Sequence, residues 1–201
     1  DDAGVKKSAL AALRHSALPA DARLMALLAG LVKSPDQQIR VACVACYRLL
    51  PAAERERLAL DALMDRHPSV VDAALSVLEE CTEDLPARLF AWLDEAGAPP
   101  RQQQPVLAYL SRQAVPRAPF EEFAGRRLRD AAILSAALRA VENDAARTGA
   151  ASSLVKTALA ERFTQTLEVA LLAMENLGDS HSMRIVYTAL KSKDKRQVAR
   201  A

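Results

Sequence analysis

Apolar residues recur along this chain at the three- and four-residue spacing of a helix, and one such helix is written three times. Val5-Lys6-Lys7-Ser8-Ala9-Leu10-Ala11-Ala12-Leu13 returns as Ile39-Arg40-Val41-Ala42-Cys43-Val44-Ala45-Cys46-Tyr47. It returns again as Val70-Val71-Asp72-Ala73-Ala74-Leu75-Ser76-Val77-Leu78. The copies begin 34 and then 31 residues apart. A period of this length, with helices in every unit, predicts a solenoid of stacked helix pairs, because one pair cannot bury its apolar face alone.

Turn signals divide the chain into helices. They are predicted over residues 1–16 and 18–33, from Ser34-Pro35-Asp36 to Leu50, and over 51–66. Two more run from His67-Pro68-Ser69 to Cys81 and over 85–96. Pro is placed just inside several of these starts, where its missing N–H costs nothing. Gly97-Ala98-Pro99-Pro100, with Pro105 close behind, predicts a kink or subdomain boundary. A helix follows to about Val115, and Pro116-Arg117-Ala118-Pro119 is a second break.

Beyond Pro119 the period changes. Long helices are predicted over 120–142 and 151–177, the latter with an apolar stripe through Val155, Leu159, Phe163, Leu167, Ala170, Leu171, Met174 and Leu177. Gly178 and Asp179 end it and cap a further helix to Lys191. Residues 1–97 therefore read as regular repeats, and 98–201 as irregular helical repeats continuous with them. The chain opens at Asp1 almost inside one helix and stops at Ala201 early in another, with no polar capping unit at either end. It reads as an excerpt of a longer protein.

Composition sharpens this picture. Apolar residues make up 51% of the chain but aromatics only 4%, so the core is built from Ala, Leu and Val. Those residues favour helix and close helix packing. A net charge of +2 argues against a general electrostatic nucleic-acid binder. Three cysteines (Cys43, Cys46 and Cys81) do not make a disulfide framework, which points to a reducing, cytoplasmic setting. No apolar run approaches the roughly 18 to 20 residues that span a bilayer, and no signal peptide is apparent.

The turns and helices resemble HEAT repeats. In that family an apolar helix and an Asp-containing turn precede a helix that opens with an aliphatic–Arg pair and Ala-rich positions. Leu27-Leu28 through Pro35-Asp36, Ile39-Arg40, and Ala42 to Ala45 carry the resemblance, and Val5-Lys6 repeats it. Val70-Val71-Asp72 departs from it by losing the basic residue. The resemblance implies an all-α, right-handed α–α superhelix of the HEAT/armadillo type, with about five helix pairs. The whole chain is also similar to the HEAT region of bacterial membrane proteins with a nucleotide-translocase-like domain and often a cyclic-nucleotide-binding domain. Asn176-Leu177-Gly178-Asp179 and Lys191-Ser192-Lys193-Asp194 carry that similarity. It implies a cytosolic regulatory or connecting module that binds a protein or a neighbouring domain of its own chain.

Candidate chemistry is sparse. Cys43-Val44-Ala45-Cys46 could be a redox pair or half a zinc site. It lies mid-helix, however, and Cys43 aligns with Ala9 and Ala74, so we expect two small buried residues. Arg40 could contact a ligand on the inner face. The favoured alternative is an ion pair or hydrogen bond to an Asp in an inter-repeat turn, such as Asp36. Arg184, Lys191, Lys193, Lys195, Arg196 and Arg200 make the final stretch basic and could meet phosphate or anionic lipid. Arg126, Arg127 and Arg129 are offset by Glu121, Glu122 and Asp130. Glu79-Glu80 and Glu121-Glu122 are adjacent, so each pair points to different helix faces. Trp92 and Phe90 are expected in the core. No catalytic or phosphate-binding motif is present. The sequence thus reads as a non-catalytic scaffold needing no cofactor or metal. The alternatives are a helical-repeat nucleic-acid binder like certain DNA glycosylases and, last, a chromophore-lyase-type enzyme.

Overall fold

The computed structural model describes residues 3–14, 22–95, 98–144 and 150–177. The described residues are all-α, with no strand among them. In chain order the helices are α1 Ala3–Arg14, α2 Ala22–Leu31, α3 Gln37–Ala45, α4 Ala52–Ala62 and α5 Pro68–Glu79. They continue as α6 Leu85–Glu95, α7 Pro100–Leu110, α8 Arg117–Asp144 and α9 Ala150–Glu175. The chain divides into two units, Asp1–Ala98 and Pro99–Ala201.

In the first unit the three copies of the repeated helix are α1, α3 and α5. Helix α3 packs on both α1 and α5, while α2 packs on α3 and α4 on α5. Equivalent positions are buried in successive copies. Ile39, Cys43, Val44, Cys46 and Tyr47 of the second match Val70, Ala74, Leu75, Val77 and Leu78 of the third. In α1 only Leu10 is buried among the described side chains, and Val5 is 64% exposed.

The helix starts follow the proline logic. Pro68 opens α5 and Pro100 opens α7, both in the first helical turn. Asp36 caps α3 from extended backbone, accepting the Gln38 N–H at 2.7 Å. Four ends within the described residues differ from the predicted ones by three residues or more; one is that of α7, which stops at Leu110 rather than near Val115. The third helix stops being α-helical at Ala45 and tightens into a 3₁₀ turn over Cys46–Leu49. Pro51 is the cause, since it forces Leu50 into extended backbone, φ −87° and ψ 157°. Helix α4 ends at Ala62, four residues before Arg66, and 3₁₀-type bonds from Met64 and Asp65 close its last turn. Helix α8 begins at Arg117 rather than at Phe120. Pro119 is accommodated in its first turn, where no N–H is needed. Pro105 is likewise inside α7 and does not end it.

In the second unit α9 packs on both α7 and α8. The core holds Val106, Leu107, Leu110, Phe120, Phe123, Ala124, Val169, Ala170 and Ala173. The buried face of α9 runs through Thr166, Val169, Ala170 and Ala173, an i, i+3, i+4, i+7 set. The predicted stripe shares Ala170 and Leu171 with the buried residues, but its first member, Val155, is 50% exposed. Ile133 on α8 and Leu154 on α9 are also exposed, at 68% and 75%. No helix of the described residues is long and apolar enough to cross a membrane. Gly97 and the predicted helices after Gly178 lie outside the described residues.

Candidate functional site

The first unit is tied together by ion pairs that step from one helix pair to the next. Lys7 on α1 reaches Asp36 in the turn before α3, at 3.0 Å. Arg40 on α3 reaches Asp65 in the turn before α5, at 2.7 Å. Arg48, in the 3₁₀ turn after α3, meets Glu80 at the end of α5, at 2.8 Å. Glu56 on α4 meets Arg88 on α6 at 2.9 Å.

Arg40 makes the most enclosed of these links. It is 5% exposed. Its Nε and Nη2 donate to the two oxygens of Asp65 at 2.7 and 3.0 Å, the paired geometry that suits a guanidinium. Its Nη1 donates to the carbonyls of Ser34 and Pro35 at 2.8 and 3.2 Å. Arg40 thus clamps two successive turns, and its partner is Asp65 rather than Asp36.

The two turns are built alike. Ser34 Oγ accepts the Asp36 N–H, and Asp65 Oδ1 accepts the His67 N–H at 2.8 Å, each two residues along. Burial pushes the Asp65 carboxyl up. The Arg40 guanidinium and the His67 N–H outweigh it, leaving Asp65 below its ordinary value. The Asp36 carboxyl is also lowered, first by Lys7 and then by the Gln38 N–H.

Cys43 and Cys46 are fully buried thiols. Cys43 donates to the Leu28 carbonyl at 3.3 Å, and Cys46 to the Leu10 carbonyl at 3.5 Å. Burial pushes the Cys43 thiol up to about 12, the opposite of what a redox or metal-binding thiolate needs. Among the described residues no group of three or more His, Cys, Asp or Glu could hold a metal ion.

Arg126 pairs with Glu122 at 2.5 Å. Arg127 pairs with Asp130 at 3.3 Å and lies over the Phe123 ring. Glu80 and Glu122 each face their own arginine, so neither adjacent-glutamate pair converges. The basic residues Arg184, Lys191, Lys193, Lys195 and Arg196, with Arg200, lie outside the described residues.

The first unit also carries an open cleft of about 560 Å³ between α4 and α6. Leu60, Met64 and Trp92 supply its apolar lining, and Glu56, Arg57, Asp61, Arg88 and Glu95 its charges. Trp92 and Phe90 are 6% and 7% exposed, so both pack as core residues, and Trp92 also borders the cleft. Single-residue reading missed this site because its charged members belong to different helices. A usable signal exists, since Arg48–Glu80 and Glu56–Arg88 are both separated by 32 residues, close to the repeat period. A scan of protein-family models, a search of curated proteins and a search of solved structures each return no match to this chain.

Proposed function

We propose that the chain is a HEAT-type repeat scaffold that binds a protein, or a neighbouring domain of its own chain, through the surface of its stacked helices. The observation that supports this most is the equivalence of the repeated segments. Helices α1, α3 and α5 pack in series, and the matched positions of the second and third copies are buried alike, with Leu10 the buried member of the first. The Ser34 and Asp65 turns are also built on one plan. A chain that repeats one helix pair builds an extended surface whose shape and charge recognise a partner. In this reading the buried cysteines and the enclosed Arg40 serve the scaffold, and the exposed helix faces serve recognition. A cytosolic module beside a transporter-like membrane domain is one setting that suits it.

Site-specific photo-crosslinking in the native host tests this reading. Benzoylphenylalanine would replace Val5, Ala53, Met64, Ile133 or Leu154 one at a time, all exposed. The expected result is a discrete protein adduct, or an adduct to another part of the same polypeptide, from a clustered subset of positions. No adduct at any position, or the same diffuse pattern at all five, overturns the proposal.

A further inference from the structure

We infer that the α4–α6 cleft docks a protein segment that presents a bulky apolar side chain flanked by lysine or arginine. The inference rests on the scaffold reading and names the chemistry of its partner.

The apolar half of the argument is the cleft's interior. Leu60 and Trp92 are each 6% exposed, and Met64 is 37% exposed. A volume of about 560 Å³ has room for a large side chain and part of its backbone. Met64 can adjust to the shape of what enters, because its unbranched side chain repacks easily. Helices α4 and α6 are already held at this point by the Arg88–Glu56 pair, at 2.9 Å.

The charged half is an imbalance around the rim. Each arginine here faces two carboxylates. Arg57 lies 2.9 Å from Glu54 and 3.5 Å from Asp61, while Arg88 lies 2.9 Å from Glu56 and 3.9 Å from Glu95. Three carboxylates, Glu56, Asp61 and Glu95, thus line the cleft with two guanidinium groups, and Glu54 engages Arg57 from outside the lining. The longer pairs are the loose ones, and their acids face solvent, Asp61 at 70% and Glu95 at 73% exposure. Loose exposed pairs contribute little, so a ligand cation can take either acid at small cost. An anionic segment meets the surplus negative charge, with both arginines already engaged by carboxylates. Charge complementarity of this kind selects the partner and speeds its encounter, while the buried apolar contact holds it.

The chain's single tryptophan borders the cleft, so its fluorescence gives a local probe of that site. The probes are amphipathic Lys/Leu and Glu/Leu peptides of about three helical turns. The Lys/Leu peptide is expected to shift Trp92 emission saturably. Its affinity should weaken as ionic strength rises from about 0.05 to 0.5 M. The double variant Asp61→Lys, Glu95→Lys should bind it about tenfold more weakly, with its thermal unfolding unchanged because both residues are exposed. Glu161→Lys, on α9, should leave binding as it was. No Trp92 response to the Lys/Leu peptide overturns the inference, as does equal or tighter binding of the Glu/Leu peptide. Either failure leaves the scaffold proposal to the crosslinking scan, where adducts away from Ala53 and Met64 would place the partner elsewhere.

Discussion

Arg40 and Asp65 carry the sharpest prediction at the scale of single residues. Both are poorly exposed, and each is the main partner of the other. Removing one partner strands the other's charge, so Asp65→Asn and Arg40→Ala should each cost about 3 kcal/mol in urea unfolding. The double variant should cost less than their sum, with a coupling of about 1–3 kcal/mol. Additive losses would show that the two groups do not act together. The sign of the pH dependence follows from the same pair. The folded carboxyl lies below its ordinary value of 3.8, so the unfolded chain binds more protons as that range is approached from above. The contribution is present above about pH 4 and is lost as pH falls through the folded value. Asp65→Asn should therefore flatten the acid limb of the stability–pH curve.

The cysteines give a second test at this scale. Cys43 and Cys46 are 0% exposed, whereas Cys81 is half-buried. One thiol should react quickly with a disulfide reagent in the native protein. The other two should react only at the rate of unfolding or local opening. Three equally fast thiols would contradict the packing of α3.

For the elements, proline position decides most of what can be read in advance. A proline outside or in the first turn starts a helix, as Pro68 and Pro100 do, because that turn needs no N–H. The same rule explains why Pro119 does not delay α8. Pro105 is the costly case. It sits inside α7, where an N–H would bond the Arg101 carbonyl, and interior proline costs about 3 kcal/mol relative to alanine. Pro105→Ala should recover about 1 kcal/mol or more in thermal unfolding. A loss of stability would mean that the core packing around Val106 and Leu107 depends on the proline's distortion of the helix.

Helix existence was legible because the apolar positions recur at helical spacing, and the buried face was legible in α3 and α5, whose matched positions are buried alike, but less so in α1, where Val5 is exposed. Helix ends were less legible, since they depend on remote partners. Asp65 leaves the end of α4 to meet Arg40, which is 25 positions earlier in the chain. An acidic residue in a turn was foreseeable as the partner of Arg40, but which turn was not. The cleft was illegible for the same reason, because Glu56 and Arg88 mean little until α4 and α6 stand side by side.

At the scale of the molecule, the chain divides at Ala98–Pro99, and every cleft residue lies in the first unit. In the proposed repeat scaffold stability comes chiefly from neighbour-to-neighbour interfaces, so a part holding whole interfaces can fold without the rest. Residues 1–98 alone should therefore show a helical circular-dichroism spectrum and a cooperative melt. Within that unit protection should be graded. Helix α3 is packed on α1, α2 and α5, while α1 buries only Leu10 among its described side chains. Amide exchange should be slowest in α3 and α5 and fastest in α1. The ion pairs joining successive repeats sharpen this expectation. Arg48→Ala removes the link to Glu80, an exposed pair worth about 0.2–1 kcal/mol. It should speed exchange at the C-terminal end of α5 more than in α1. Uniform exchange through α1, α3 and α5 would instead describe one cooperative globule in which the repeats share a single core. The nearest-neighbour account of the fold, and with it the scaffold proposal's main support, would then fail.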